Sequence, residues 1–239
     1  MSAETLRFRL TGVAPLVMHN SRLADPLDLW SREIAAITTK RHKTIADHAQ
    51  VAKCEWYGSA WVDNSRPCIP AHVIEGVIAA AARSRKRGGP ARSGLICVAN
   101  AVLVYDGPDT LDELWEDERF RLRMPVRTPG GRVMRTRPIF QNWQVDIAIR
   151  FLPSVVDADA IESWLKLGGD LHGIGDFRPR HGRYAVERLA VHGVLGSAPV
   201  GSDWVCQDSV RQGSVGSARV EEPRAPPTRP KRPAKKKER

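Results

Sequence analysis

Residues 142 to 153, NWQVDIAIRFLP, place Trp143, Val145, Ile147, Ile149 and Phe151 at every second position. That period belongs to a β-strand with one face in a core and the other in water. Such a strand cannot cover its own apolar face, so it demands partner strands beside it and a layer of helix over it. Partners are legible. TLRFRLTGVAPLVMHN, residues 5 to 20, begins with Leu6, Phe8 and Leu10 alternating against Arg7, Arg9 and Thr11. LICVANAVLVYDG, residues 95 to 107, is rich in β-branched and apolar residues and stops at an Asp-Gly turn signal. RYAVERLAVHGVL, residues 183 to 195, supplies a closing strand. The covering helices are CIPAHVIEGVIAAAARSRKRGG, opened by Pro70 and ended by Gly88 and Gly89, and DADAIESWLKLGGDL, running from near Asp157 to Gly168 and Gly169.

The order is strand, helix, strand, strand, helix, strand. It predicts an α+β chain with a ferredoxin-like (RRM-like) βαββαβ core, an antiparallel four-stranded sheet carrying two helices on one face. Two segments fall outside that order. A helical insertion at about 21–65 holds DPLDLWSREIAAITTK and TIADHAQVAKCEWYG, with Asp25 as the N-cap before Pro26 and a basic turn of Lys40, Arg41, His42 and Lys43 between the helices. A second insertion, at about 107–140, holds the acidic helix TLDELWEDERF and then RLRMPVRTPGGRVMRTRPIF, a β-hairpin with positively charged arms. Residues 1–196 are expected to form one elaborated domain.

Formal net charge is +10. Residues 218 to 239 hold nine Lys or Arg against three Glu, a net of +6, which leaves 10 − 6 = +4 for the rest. RAPPTRPKRPAKKKER is proline-rich without a large apolar side chain, so 197–239 reads as a linker and a disordered basic tail that attracts polyanions. No stretch has the roughly 18 to 20 apolar residues of a membrane span, and MSAETLRFRL is charged where a signal peptide is apolar. A cytoplasmic chain without membrane contact is expected. Cys54, Cys68, Cys97 and Cys206 form no CxxC pair, so neither a zinc module nor a disulfide framework is indicated.

GGDLHGIGDFRPRHGRY, residues 168 to 184, is a glycine-rich crossover with a helix before it and a strand after it. Phosphate-binding loops of nucleotide enzymes run the other way, strand first, so no nucleotide cofactor is expected. Gly173 and Gly175 allow positive φ and close backbone approach to a ligand, while Arg178, Arg180 and Arg183 offer guanidinium forks to phosphate. The alternative is a helix cap and turn with exposed arginines. Arg127, Arg132, Arg135 and Arg137 line the hairpin, where like charges repel unless a polyanion neutralises them. Arg83, Arg85, Lys86 and Arg87 either complement a helix dipole or meet a ligand. With His19, Asn20, Arg22, Lys40, Arg41 and Lys43 these complete a candidate nucleic-acid-binding set. LICVANAVLVYDG offers only Tyr105, near its end, as an aromatic for stacking bases, which favours backbone contact over base stacking. His19 with Asp25 and Asp28 could be built into a nuclease site, but the aspartates read as helix caps; no catalytic residue, metal or cofactor is assigned.

The glycine crossover, between the second core helix and the last strand, resembles the signature loop of the RAMP superfamily, repeat-associated proteins that include backbone subunits of CRISPR effector complexes. APLVMHNSRLADP, after the first strand, resembles the entrance of phage-encoded stand-alone relatives. The two insertions fall where such subunits carry palm insertions and a thumb. The resemblance implies single-stranded RNA or DNA binding along sheet and thumb, filament-like stacking of subunits, and the cytoplasm of a bacterial or phage-infected host cell. The catalytic histidine arrangement of the RNA-processing members is not evident. The expectation is therefore a non-catalytic single-strand-binding protein. Its alternatives are a metal-dependent endoribonuclease of the same fold and a structural subunit whose basic surface meets an acidic protein.

Overall fold

A computed structural model describes residues 2–190 as an α+β protein; the linker, the basic tail and Cys206 lie outside the described residues. In chain order the strands are β1 (Glu4–Gly12), β2 (Leu16–Val17), β3 (Val62–Asp63), β4 (Arg66–Ile69), β5 (Leu95–Cys97), β6 (Ala101–Val102), β7 (Val104–Tyr105), β8 (Arg121–Thr128), β9 (Gly131–Phe140), β10 (Trp143–Phe151) and β11 (Tyr184–Leu189). The helices are α1 (Leu29–Thr38), α2 (Ile45–Ser59), α3 (Ala71–Ser84), α4 (Gly88–Gly94), α5 (Leu111–Glu116) and α6 (Ala158–Leu167), and a π turn, Gly168–His172, follows α6. Among the described residues no helix is long and apolar enough to cross a membrane.

The alternation in the sequence becomes burial. Trp143, Val145, Ile147, Ile149 and Phe151 of β10 are all buried, and Leu6, Phe8 and Leu10 of β1 lie opposite Ile149, Ile147 and Val145. Strand order is β11-β1-β10-β5, with every neighbour antiparallel. Helix α3 lies in the chain between β1 and β5, and α6 between β10 and β11. Their inward residues, Ile74, Val77 and Ile78 on α3 and Ile161, Trp164 and Leu165 on α6, join the same core. Each such side chain contributes about 1.5–3 kcal/mol when fully buried. The opposite sheet face carries Arg7, Arg9, Thr11, Gln144, Asp146, Arg150 and Glu187, with Arg9 and Asp146 paired at 2.8 Å.

Several expectations are corrected by tertiary pairing. The run 95–107 is no single strand: after β5 the chain leaves β10, pairs through β6 with β4 (Cys68 opposite Val102), and returns as β7 opposite Trp143. Asn100 at that detour accepts from the Ala71 amide at 3.1 Å and so caps α3. Gly88 and Gly89 begin α4 rather than only ending α3. The cap of α1 is Asp28, which accepts from the Trp30 amide at 2.9 Å; Asp25 turns the chain before it by accepting from Leu27. The region 21–65 also holds β3, which with β4 makes a small hairpin turned by Asn64 and Ser65 at φ 47° and 63°.

Candidate nucleic-acid interface

The basic hairpin forms where the sequence places it, with Thr128 opposite Gly131 around the Pro129-Gly130 turn. Its arginines do not share a face. Arg127 stands directly opposite Arg132, and Arg123, opposite Thr136, lies on the same side; all three arginines are exposed. Arg135 and Arg137 oppose Met124 and Leu122 on the other side, because an odd separation in a strand turns the side chain over.

That second side is the root of the hairpin, packed on α2. Arg135 donates to Glu55 Oε1, and the Thr136 amide donates to Glu55 Oε2 at 2.9 Å. Arg137 donates to Ser59 Oγ at 3.0 Å and lies 3.4 Å from Asp176 Oδ2. Glu55 and Ser59, four residues apart, come from one face of α2. The Glu55 side chain is 3% exposed and Arg137 8%, whereas Arg135 keeps 35% in contact with water. Burial pushes the Arg137 guanidinium below its ordinary value and Asp176 opposes the shift. His19, beside this root, is held below the usual imidazole range, first by desolvation and then by the charge of Arg137. Both effects favour its neutral form.

Between this root and α1 is a cleft of about 390 Å³, walled by Leu23, Ile34, Ala35 and Thr38 and floored by His19, Glu55, Arg135 and Arg137. A more open hollow of about 550 Å³ runs along the glycine crossover past His172, Gly175, Asp176 and Arg178. Asp176 joins the two regions through Arg137.

The crossover is tied to the protein's own backbone. Gly173, Gly175 and Gly182 have φ of 71°, 89° and 72°. A Cβ on Gly175 would stand 2.2 Å from the Val17 carbonyl oxygen, and one on Gly173 2.6 Å from that of His181. The Asp176 amide donates to Val17 at 2.8 Å and the Gly182 amide to Pro15 at 2.8 Å. Close approach at Gly173 and Gly175 is thus to the chain itself, with the positive φ that the glycines allow. Arg178 and Arg180 are exposed, and Arg183 donates to the Pro179 carbonyl at 2.8 Å. His172 Nε2 and His181 Nδ1 are buried without a hydrogen-bond partner among the described residues.

The remaining candidates divide. Arg83 in the last turn of α3, and Arg85, Lys86 and Arg87 in the turn that leads to α4, are exposed, their side chains in no ion pair among the described residues. Lys40 pairs with Asp47 at 2.6 Å and Lys43 donates to the Lys40 carbonyl, so both serve the N-terminus of α2, while Arg41 is exposed. Arg22 pairs with Asp28, and Asn20 accepts from the Arg22 amide and donates to the Ala60 carbonyl. Asp28, committed to Arg22 and to the cap of α1, has little left for a metal, and among the described residues no three His, Cys, Asp or Glu side chains group to hold one. Tyr105 packs edge-on against Phe120 and Phe140. Cys54, Cys68 and Cys97 are free and buried, each thiol pushed up to about 11 by burial.

Sequence reasoning missed Glu55, Ser59, Asp176 and Arg123. A charged Glu55 between Cys54 and Trp56, in a stretch otherwise turning inward, was the available signal. Compared with known proteins, the chain matches no family model and no curated sequence.

Proposed function

We propose that the protein binds single-stranded nucleic acid through its sugar-phosphate backbone, on a ferredoxin-like core of RAMP type with the β8–β9 hairpin as a thumb. The strand order β11-β1-β10-β5, with α3 and α6 sharing its core, supports the fold. One observation carries the function. Arg135 and Arg137 are neutralised by Glu55 and Asp176, whereas Arg123, Arg127 and Arg132 share a face and have no ion-pair partner among the described residues. Like charges directly opposite each other destabilise a hairpin by about 0.2–1 kcal/mol, so this face is relieved by an anion from outside. The exposed sheet face offers Arg7, Arg150 and Gln144 and, among its described strand residues, no aromatic ring. Contact is therefore to phosphate rather than by stacking on the sheet.

The test is a salt titration on single-stranded RNA and DNA with wild type and an Arg123→Ala/Arg127→Ala/Arg132→Ala variant. Log K falls with log salt by about 0.7 per phosphate neutralised, so the variant's slope should be shallower by about 2. An unchanged slope overturns the assignment of this face. Strand cleavage in magnesium would replace the binding reading with the endoribonuclease one.

A further inference from the structure

Helix α1 is the least anchored of the longer helices: none of its residues is buried, yet its sequence is amphipathic. Ser31, Ile34, Ala35 and Thr38, which recur at helical spacing, face the 390 Å³ cleft instead of a core. That volume lies in the range of small-molecule sites, about 300–1,000 Å³. Three of these four α1 side chains, Ser31, Ala35 and Thr38, are small. The floor is polar but balanced, since Arg135 is offset by Glu55 and Arg137 by Asp176. A phosphate entering here meets no surplus of positive charge. A neutral planar ring meets Ile34 and small side chains of α1 on one side and, on the other, guanidinium N–H groups not used by Glu55, Ser59 or Asp176, together with the His19 imidazole, which in its neutral form both donates and accepts.

We propose that this cleft holds a single nucleobase, its ring against α1 and its polar edge toward His19, Arg135 and Arg137. The inference rests on the nucleic-acid reading above and adds to it a pocket that reads the base rather than the backbone. The ring has two sources, a base turned out of a bound strand or a free nucleoside, and one experiment separates them.

A short single strand and an abasic strand of equal length present the same phosphates, so they differ only in what the cleft takes. Wild type should bind the strand with bases about tenfold more tightly, a difference of about 1.4 kcal/mol. Ala35→Trp and Thr38→Phe, both at exposed positions on α1, fill the cleft. Each should erase the preference and leave abasic-strand affinity as in wild type. Binding of adenosine or uridine to wild type but to neither filled variant assigns the cleft to free nucleosides; base preference without nucleoside binding assigns it to the strand. The proposal is overturned if wild type shows neither behaviour, or if either persists in a filled variant whose melting curve matches wild type. Arg123→Ala/Arg127→Ala/Arg132→Ala, by contrast, should weaken both strands equally, so failure of the backbone reading is seen separately from failure of the cleft.

Discussion

Glu55 holds two different partners from consecutive residues of one strand, the Arg135 side chain and the Thr136 amide, and so fixes the hairpin at its root. Replacing it with alanine leaves the Thr136 N–H buried without an acceptor, at about 1–3 kcal/mol, while Arg135 can turn to water. The expected loss is about 2–3 kcal/mol by chemical denaturation, below the roughly 3–5 of a fully buried broken pair because Arg135 is partly exposed. Glu55→Gln, which keeps an acceptor, should lose less. Arg127→Ala should fall within about 0.5 kcal/mol or stabilise, since its cross-strand neighbour is Arg132. Equal costs for Glu55→Ala and Arg127→Ala would remove the distinction between arginines paired at the root and those exposed on the other face. That distinction was partly legible in the sequence. Arg132 and Arg135 are an odd number of residues apart and had to face opposite ways once the hairpin was granted. Their acidic partners were not legible, because Glu55 and Asp176 lie 80 and 39 residues away from the arginines they meet.

Elements whose signal is local follow the sequence closely; those set by tertiary pairing do not. The period-2 runs of β1 and β10 and the tight turn of the β8–β9 hairpin are written in adjacent residues. The breaks around β6 depend on β4, and α4 is a helix of GGPARSG whose Gly94 is closed in by Val155 and Val156. The glycine crossover is of the second kind: its glycines were visible, but the β2 carbonyl that Gly175 approaches was not. Gly175→Ala should therefore destabilise by more than about 1 kcal/mol, from a φ of 89° and a Cβ driven into Val17. Because Asp176 follows directly, the loss should also loosen Arg137. Gly130→Ala, at the hairpin turn with nothing within 4 Å of a Cβ, should stay within about 0.5 kcal/mol. Thermal melts of the pair decide it. A Gly175→Ala variant as stable as wild type would mean that the crossover does not need its contact with Val17.

At the scale of the molecule, charge is carried by two separate elements that should fail differently. Residues 218 to 239 bring +6 of the chain's +10 with many prolines, while the hairpin face brings Arg123, Arg127 and Arg132 at fixed cross-strand positions. A proline-rich run of net positive charge attracts any polyanion. Deleting 218–239 should lower affinity for single and double strands together, flatten the salt slope and leave the preference between them intact. The triple-alanine hairpin variant should lose single-strand binding more than duplex binding, because its charges sit in one geometry, and any alignment of subunits along a long strand should be lost with it. Both proteins are to be measured on matched single and double strands at two salt concentrations, with electron microscopy on a long single strand. If the tail deletion abolishes all binding while the hairpin variant binds as wild type does, the folded domain is not the nucleic-acid interface. Its hairpin arginines, in no ion pair among the described residues, then face an acidic protein instead, a partner whose carboxylates would relieve the same repulsion between Arg127 and Arg132.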